Sequence, residues 1–117
     1  MAAPNLISLT TVNIKTAILA GPTSVTDLIA AVASGKAVNI EAVYCSNIHA
    51  SLAAYATVIH KQGGTEYKIA NRQRVSTNQT INVLLGKPLY LEEGDSLLVQ
   101  ADAVSTLIFF APYSIVT

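Results

Sequence analysis

The amino-acid sequence predicts an all-β protein: an antiparallel β-sandwich, jelly-roll-like, of about eight strands with little or no helix. Apolar and polar residues alternate along most of the chain, turn residues recur about every eight to twelve positions, and no segment is long enough for a crossover helix. The chain has 117 residues, the size of one domain. We place an N-terminal arm at residues 1–12 and a single β-sandwich domain at residues 13–117.

Period-two alternation indicates the individual strands. Val38 and Ile40, for example, alternate with Asn39 and Glu41, as expected for a strand with one buried face. The same reasoning predicts strands at 38–45, 54–60, 66–70, 80–85, 89–91, 97–101 and 104–110. The last of these has apolar residues on both faces, so we expect it to be central in a sheet or part of an interface. Residues 25–33 are too few for a stable helix, and a strand is favoured there.

Turn residues separate these strands. Gly63-Gly64 predicts a tight hairpin. Gly94 is suited to the left-handed position of a short hairpin connection between residues 89–91 and 97–99. Pro112 lacks the N–H that a ladder needs, and we expect strand pairing to end there.

Charged residues are few and balanced. Seven Lys and Arg offset seven Asp and Glu, and only 12% of residues are charged, about half of the usual share. Apolar residues make up 51%. Because net charge keeps isolated domains apart, part of this surface is expected to be covered by protein. We therefore expect a homo-oligomer, with a trimer as the first expectation.

Membranes and nucleic acids are poor partners for this sequence. Its apolar runs are far shorter than the ~20 residues of a spanning helix, and the N-terminus lacks the features of a secretion signal. We therefore expect folding in the cytoplasm, with Cys45 as a thiol. The local basic excess at residues 61–74 has only Tyr67 nearby for base stacking, and acids at 92–102 offset it.

The sequence offers no catalytic or metal-binding constellation. Cys45 has no neighbouring cation that would activate it, and His49 and His60 fit ordinary surface or strand-end positions. One cysteine and two separated histidines exclude a Cys/His metal cluster. We expect no enzymatic activity and no cofactor.

Glu92, Glu93 and Asp95 surround Gly94. Adjacent acids can bind a hard cation, but a calcium loop needs more oxygen ligands at regular spacing. A structural turn is therefore favoured over a cation site.

Residues 36–101 carry a further pattern, composed of Ile40 to Asn47 (I-E-A-V-Y-C-S-N), Tyr67 to Ala70 (Y-K-I-A) and Lys87 to Leu97 (K-P-L-Y-L-E-E-G-D-S-L). In these segments the chain resembles small virion structural proteins of tailed bacteriophages, especially cyanophages. The resemblance implies an all-β subunit present in many copies on a particle, without enzymatic residues. The C-terminal run at 109–117 departs from that group, where an acidic stretch is common.

The leading hypothesis is therefore a non-enzymatic virion protein that decorates, or cements, the major capsid shell as a symmetric oligomer. It would be made in the host cytoplasm and would contact copies of itself and the major capsid protein or other virion structural proteins. A neck, tail or baseplate subunit is the alternative. A β-sandwich module that binds carbohydrate or a cell surface, with tyrosines stacking on sugars, is a further alternative.

Chain ends can reach neighbours by strand addition, and both ends of this chain carry apolar residues. We therefore predict interface residues in the N-terminal arm and in the C-terminal run: Leu6, Ile7, Leu9, Phe109, Phe110 and Tyr113. The alternative is that these residues close the chain's own core.

Overall fold

The computed structural model describes residues 12–20, 22–49, 51–85, 87–102 and 107–116. These residues form ten β-strands in two antiparallel sheets, and no helix occurs among them. The predicted all-β sandwich is confirmed, with ten strands where the sequence suggested about eight. The described ranges contain nothing helical that is long and apolar enough to cross a membrane. The predicted arm lies outside the described residues, except for Val12.

The strands follow in chain order. They are β1 Val12–Ala20, β2 Thr26–Ile29, β3 Ala37–Ile40, β4 Tyr44–Asn47, β5 Ala54–Gln62, β6 Thr65–Val75, β7 Thr80–Asn82, β8 Leu89–Leu91, β9 Ser96–Ala101 and β10 Leu107–Val116.

The larger sheet has six strands and is organised around β10. One edge of β10 pairs with β1 along its whole length, from Val12 opposite Val116 to Ala20 opposite Ile108. The other edge pairs first with β4 and then with β3. The short strands β7 and β8 pair with the far edges of β4 and β3. The apolar character of both faces of β10 thus reflects its central position, which was one of the two expectations.

The strand predicted at residues 38–45 is interrupted. Ile40 pairs with Tyr113 and Tyr44 pairs with Phe110, so residues 41–43 face only residues 111–112 on β10. Three residues thus lie opposite two, and the one extra residue produces a local bulge. The Glu41 N–H donates to the Pro112 carbonyl at 3.0 Å. Pro112 therefore bonds to this edge through its carbonyl oxygen, since it has no N–H.

The prediction that Pro112 ends strand pairing is therefore wrong. Pro112 lies inside β10 opposite Thr16, and pairing with β1 continues to Val116. Proline is tolerated at bulges, and the bulge at residues 41–43 lies beside it on the opposite edge. The missing N–H therefore falls where the ladder is already interrupted.

The smaller sheet has four strands in the order β2-β9-β5-β6. Its β5–β6 hairpin turns at Gly63 and Gly64, both with positive φ (60° and 81°), between the paired residues Gln62 and Thr65. The tight hairpin predicted from the two glycines is confirmed. The sheet faces the larger one across the core.

Both sheets contribute to that core. Val58 and Leu97 from the smaller sheet and Ile40, Leu107 and Phe109 from the larger one are fully buried.

A buried polar residue, Asn47, links the sheets at one end. Its Nδ2 donates to the carbonyls of Leu52 and Val75, both at 2.9 Å, and its Oδ1 accepts from the His49 N–H. Because Asn47 ends β4 in one sheet and Val75 ends β6 in the other, these bonds tie the sheets together.

The segment from Glu92 to Asp95 is a corner between sheets. Gly94 has a φ of 85°, as its position predicted. However, β8 belongs to the six-stranded sheet and β9 to the four-stranded sheet. The expected hairpin between these strands is therefore wrong, since the chain changes sheets here.

Candidate functional site

The Asp95 carboxylate stabilises the sheet-to-sheet corner. Asp95 is only 3% exposed. Its Oδ2 accepts from the Glu92 N–H at 3.1 Å and contacts His60 Nε2 at 3.1 Å, with Gln62 Nε2 at 3.5 Å. His60 and Gln62 belong to β5, so the carboxylate connects the corner to the neighbouring strand. His60 is thus part of an internal contact, where the sequence suggested an ordinary strand-end residue.

The other acids of the corner make separate contacts. Glu93 Oε1 accepts from the Gly35 N–H at 2.6 Å. Val32 exchanges two backbone hydrogen bonds with the corner, donating to the Asp95 carbonyl and accepting from Gly94, both at 2.9 Å. Within the described ranges, no three Asp, Glu, His or Cys side chains converge as metal ligands would. These contacts favour the structural turn over the cation site.

Cys45 and His49 also have structural surroundings. Cys45 is fully buried in the core, where burial raises the pKa of its thiol from 9.0 to about 12. It behaves as the small hydrophobic residue that its sequence position indicated. His49 Nδ1 accepts from the N–H groups of Ser51 and Leu52, each at 3.0 Å. These bonds stabilise the loop in which His49 lies.

An apolar surface lies on the outer side of the six-stranded sheet. Ile14 and Ile18 of β1 are 84% and 70% exposed, whereas Ala17 and Leu19 on the opposite face pack against the core. The register extends this surface across the sheet, because Ile18 lies opposite Phe110, which lies opposite Tyr44. We define the apolar outer face as Ile14, Ile18, Tyr44, Ile108 and Phe110.

The aromatic members of the apolar outer face are ordered by stacking. The Phe110 and Tyr44 rings lie 5.0 Å apart between centroids, with 21° between their planes, a favourable offset arrangement. Among the described residues no donor reaches the buried Oδ1 atoms of Asn39 and Asn82, which flank this part of the sheet on β3 and β7.

In the part of the chain that the structure describes, one edge of β1 is unpaired and regular. Among the described strands, β1 pairs only with β10, over nine residues without a register shift. The other sheet edges are interrupted or short. β6 contains two register shifts, β2 contains one in four residues, and β7 and β8 have three residues each. Bulges and short strands protect sheet edges from further pairing, and β1 lacks both.

The predicted interface residues fall in different places. Phe110 belongs to the apolar outer face, whereas Phe109 is fully buried in the core and Tyr113 packs partly buried against it. Side chains alternate along β10, so adjacent phenylalanines must point to opposite faces. Three predicted residues lie outside the described part of the chain: Leu6, Ile7 and Leu9.

A polar cleft of about 340 Å³ opens on the four-stranded sheet. It is lined by side chains from β5, β6 and β9 and by the neighbouring loops: Thr23, Tyr55, Thr57, Lys68, Asn71, Arg72, Gln100, Ala101 and Asp102. Thr57 and Gln100 face each other across paired strands.

A bulge in β6 positions Arg72 at this cleft. Ala56 pairs with Gln73 and Val58 pairs with Ala70, so Asn71 and Arg72 both face Thr57. Arg72 has a φ of 53°, a left-handed conformation that costs a non-glycine residue about 1–2 kcal/mol. Its N–H donates to Thr57 Oγ1 at 3.2 Å.

The Arg72 side chain lies over an aromatic ring. Its guanidinium carbon is 4.8 Å from the Tyr55 ring centroid, within cation–π range. The Tyr55 N–H donates to Asp102 Oδ1 at 2.9 Å. The cleft therefore presents a cation above an aromatic ring and a carboxylate beside it.

Sequence reasoning identified Phe110 of the apolar outer face but missed Ile14 and Ile18, and it missed the cleft. Ile14 and Ile18 had a detectable signal, because Ile14, Thr16 and Ile18 alternate with polar and small residues in the segment that became β1. Arg72 had none, because the bulge depends on pairing with β5 and the contact with Tyr55 spans many residues.

Comparisons with known proteins bear on the fold. No protein-family model and no curated sequence matches the chain. A subunit of the Bacillus endospore appendages, a family of disulfide-linked pili, is similar in structure at 10% identity, with a TM-score of 0.54 over 92% of this chain and 87% of that one. The CBM22-1 xylan-binding domain of Paenibacillus barcinonensis Xyn10C matches at 17% identity over 90% of this chain and 83% of that one. Its TM-score is 0.37, and we draw no conclusion from this match.

The buried Cys45 thiol leads to a prediction about pH. The unfolded thiol ionises above about pH 8.5, whereas the folded thiol holds its proton up to about pH 12. The folded state therefore binds more protons in this window, and the Cys45 contribution to the free energy of unfolding falls as pH rises through it. Urea unfolding of the native chain and of a Cys45→Ala variant, at pH 7 and at pH 10, measures the Cys45 contribution at each pH. A stability difference between them that does not shrink with pH would contradict it.

Proposed function

We propose that the protein is a non-enzymatic structural subunit that assembles with other copies of itself through β1. The observation that carries this proposal is the combination of an open, regular strand edge with two highly exposed isoleucines, Ile14 and Ile18. Unpaired N–H and C=O groups along such an edge can pair with another strand. The balanced net charge of the chain adds no repulsion between copies.

The sequence of β1 fits antiparallel pairing with itself. With Thr16 on a two-fold axis, Ile14 of one copy lies opposite Ile18 of the other, and the reverse pair forms on the opposite side of the axis. Both pairs then lie on the apolar outer face of a continuous sheet. Lys15 lies opposite Ala17 in this register, so the charged residue of β1 does not face its own copy.

A contact of this kind is modest in size. One strand pair with its flanking side chains lies at or below the low end of the range of about 1,200–2,000 Å² for stable interfaces. An isolated pair would therefore dissociate on dilution. Because a two-fold contact through β1 closes at two copies, a larger permanent assembly would need contacts through other surfaces as well. The Bacillus pilus subunit has a similar fold. At 10% identity, this similarity concerns the fold alone.

Replacing Ile14 and Ile18 together by threonine should weaken self-association by about two- to thirtyfold, since the two-fold contact contains two such pairs. The change removes the exposed apolar pairs, each worth about 0.2–1 kcal/mol, and keeps the β-branched shape that strands favour. Sedimentation velocity over a range of concentrations measures the dissociation constant. Ile48→Thr, at a position that is 57% exposed outside this surface, is the matched control and should leave it unchanged.

A cysteine at the two-fold axis tests the register. Opposite Cα atoms in an antiparallel pair lie about 4.5–5.5 Å apart, within disulfide range, so Thr16→Cys should cross-link to its own copy under mild oxidation. Ala20→Cys should not, because its copies would lie about 27 Å apart at a rise of about 3.4 Å per residue. The buried Cys45 thiol does not compete. Equal cross-linking of both variants would contradict the register. A sedimentation mass of three chains would contradict the two-fold pairing and favour the trimer that was the first expectation.

On the resemblance of residues 36–101, we place this subunit in a tailed-bacteriophage virion, as a decoration protein on the capsid shell. The low charge and the apolar outer face support a surface that is covered in the particle. A neck, tail or baseplate position is the alternative. Mass-spectrometric copy number separates them, because a shell protein should be present in hundreds of copies and a neck or tail ring in about a dozen or fewer. Absence of the protein from purified particles would contradict both.

A second candidate function, carbohydrate binding, is favoured by the polar cleft at Tyr55. Sugar sites combine hydroxyl, amide and charged groups with an aromatic side chain, and this cleft contains all of them. An array of neutral and acidic glycans tests this candidate. Binding that Tyr55→Ala abolishes supports it, and absence of binding across the array contradicts it.

A further inference from the structure

The polar cleft on the four-stranded sheet has a charge pattern that narrows its ligand. Lys68 and Arg72 supply two cations and Asp102 supplies one carboxylate at the cleft. Within the described residues, neither cation is paired with a carboxylate. A ligand that carries one negative charge would therefore balance the cleft.

The geometry around Arg72 restricts which chemical group of the ligand can bind there. The Arg72 guanidinium carbon lies over the Tyr55 ring, and a guanidinium has five N–H donors in a planar fork that can bind a planar carboxylate through two of them. Because the guanidinium lies over this face of the Tyr55 ring, neither a nucleobase nor a sugar ring can stack there, and Tyr55 contributes to the cleft by holding Arg72. The cleft therefore favours a ligand that presents an anion to Arg72 over one that presents an aromatic ring.

The other side of the cleft is suited to hydroxyl groups. Asp102 uses Oδ1 to accept from the Tyr55 N–H, and Gln100 uses Nε2 to donate to the Thr23 carbonyl at 2.9 Å. No described residue donates to Asp102 Oδ2 or Gln100 Oε1, and sugar hydroxyls are donors to such atoms. The Asp102 carboxylate also disfavours a doubly charged phosphate close to it.

The backbone provides an independent sign of function. Arg72 adopts the left-handed conformation at the bulge where Asn71 and Arg72 together face Thr57. Glycine or asparagine would adopt this conformation with less strain. Strained residues and bulges are concentrated at binding sites, where they direct a side chain. Here the bulge directs a guanidinium to the cleft.

We propose that this cleft binds an acidic saccharide, with the sugar carboxylate on Arg72 and Lys68 and its hydroxyls on Asp102 and Gln100. This rests on the carbohydrate-binding candidate and adds the charge of the ligand to it. The cleft volume of about 340 Å³ lies at the low end of the range for ligand sites of about 300–1,000 Å³. It therefore fits a short stretch of a glycan, such as a terminal uronic acid.

Titration calorimetry with a short galacturonic acid oligomer and the matching neutral galactose oligomer tests the proposal. The acidic oligomer should bind about tenfold more tightly, since a charge-assisted hydrogen bond is roughly twice as strong as a neutral one and a bidentate pair makes two of them. Arg72→Asn, which tolerates the left-handed backbone, should lose this preference. Arg74→Asn is the matched control: it removes the same charge from the same strand at a residue outside the cleft lining, and it should retain the preference.

The outcomes separate the two levels of the proposal. Equal binding of the neutral and acidic oligomers would contradict the preference for an acidic saccharide and would still support carbohydrate binding. Binding of neither oligomer would overturn both. Equally tight binding of inorganic phosphate would show a simple anion site and would also overturn the saccharide. Thermal unfolding of each variant confirms that it is folded, and Lys68→Gln provides a second change at the cleft with no backbone strain.

Discussion

The pairing of β10 on both of its edges is the constraint on which the larger sheet depends. β10 holds β1 along one edge and the interrupted row of β3 and β4 along the other. Its side chains alternate between an inner set, in which Leu107, Phe109 and Ala111 are fully buried, and an outer set that includes Phe110. The same strand therefore builds the core and the apolar outer face. It also places β1 at the edge of the sheet, where no other described strand pairs with the second side of β1.

The two proposed surfaces belong to different sheets and use different physics. The β1 edge offers backbone groups and aliphatic side chains in a region with little charge, which suits repeated contacts between identical subunits. The cleft offers two cations, a carboxylate and amides around Tyr55, which suits a small polar ligand. Since they lie on separate sheets, assembly through β1 leaves the cleft accessible in our proposal. A subunit could then display a binding site while it is paired with another copy through β1.

The fold was largely predictable because alternation and turn residues are local signals. The strand at 54–60, the Gly63-Gly64 hairpin and the left-handed Gly94 all follow from a few adjacent residues. The errors concern features that depend on pairing between distant strands. Pro112 continues a strand because the bulge at residues 41–43 lies beside it, and the Glu92–Asp95 turn changes sheets because Asp95 bonds to His60 on β5. The cleft could not be predicted, since the position of Arg72 is set by the bulge opposite Thr57.

Amide hydrogen exchange of β1 at low and at high protein concentration tests the central claim most directly. In an antiparallel strand alternate N–H groups point to opposite edges, so one set of β1 amides is already bonded to β10. Our account predicts that the other set, on the open edge, becomes protected as concentration rises, while the amides on the open edge of β6 stay unprotected. Protection of β1 that is the same at every concentration, in a protein that remains monomeric, would contradict it.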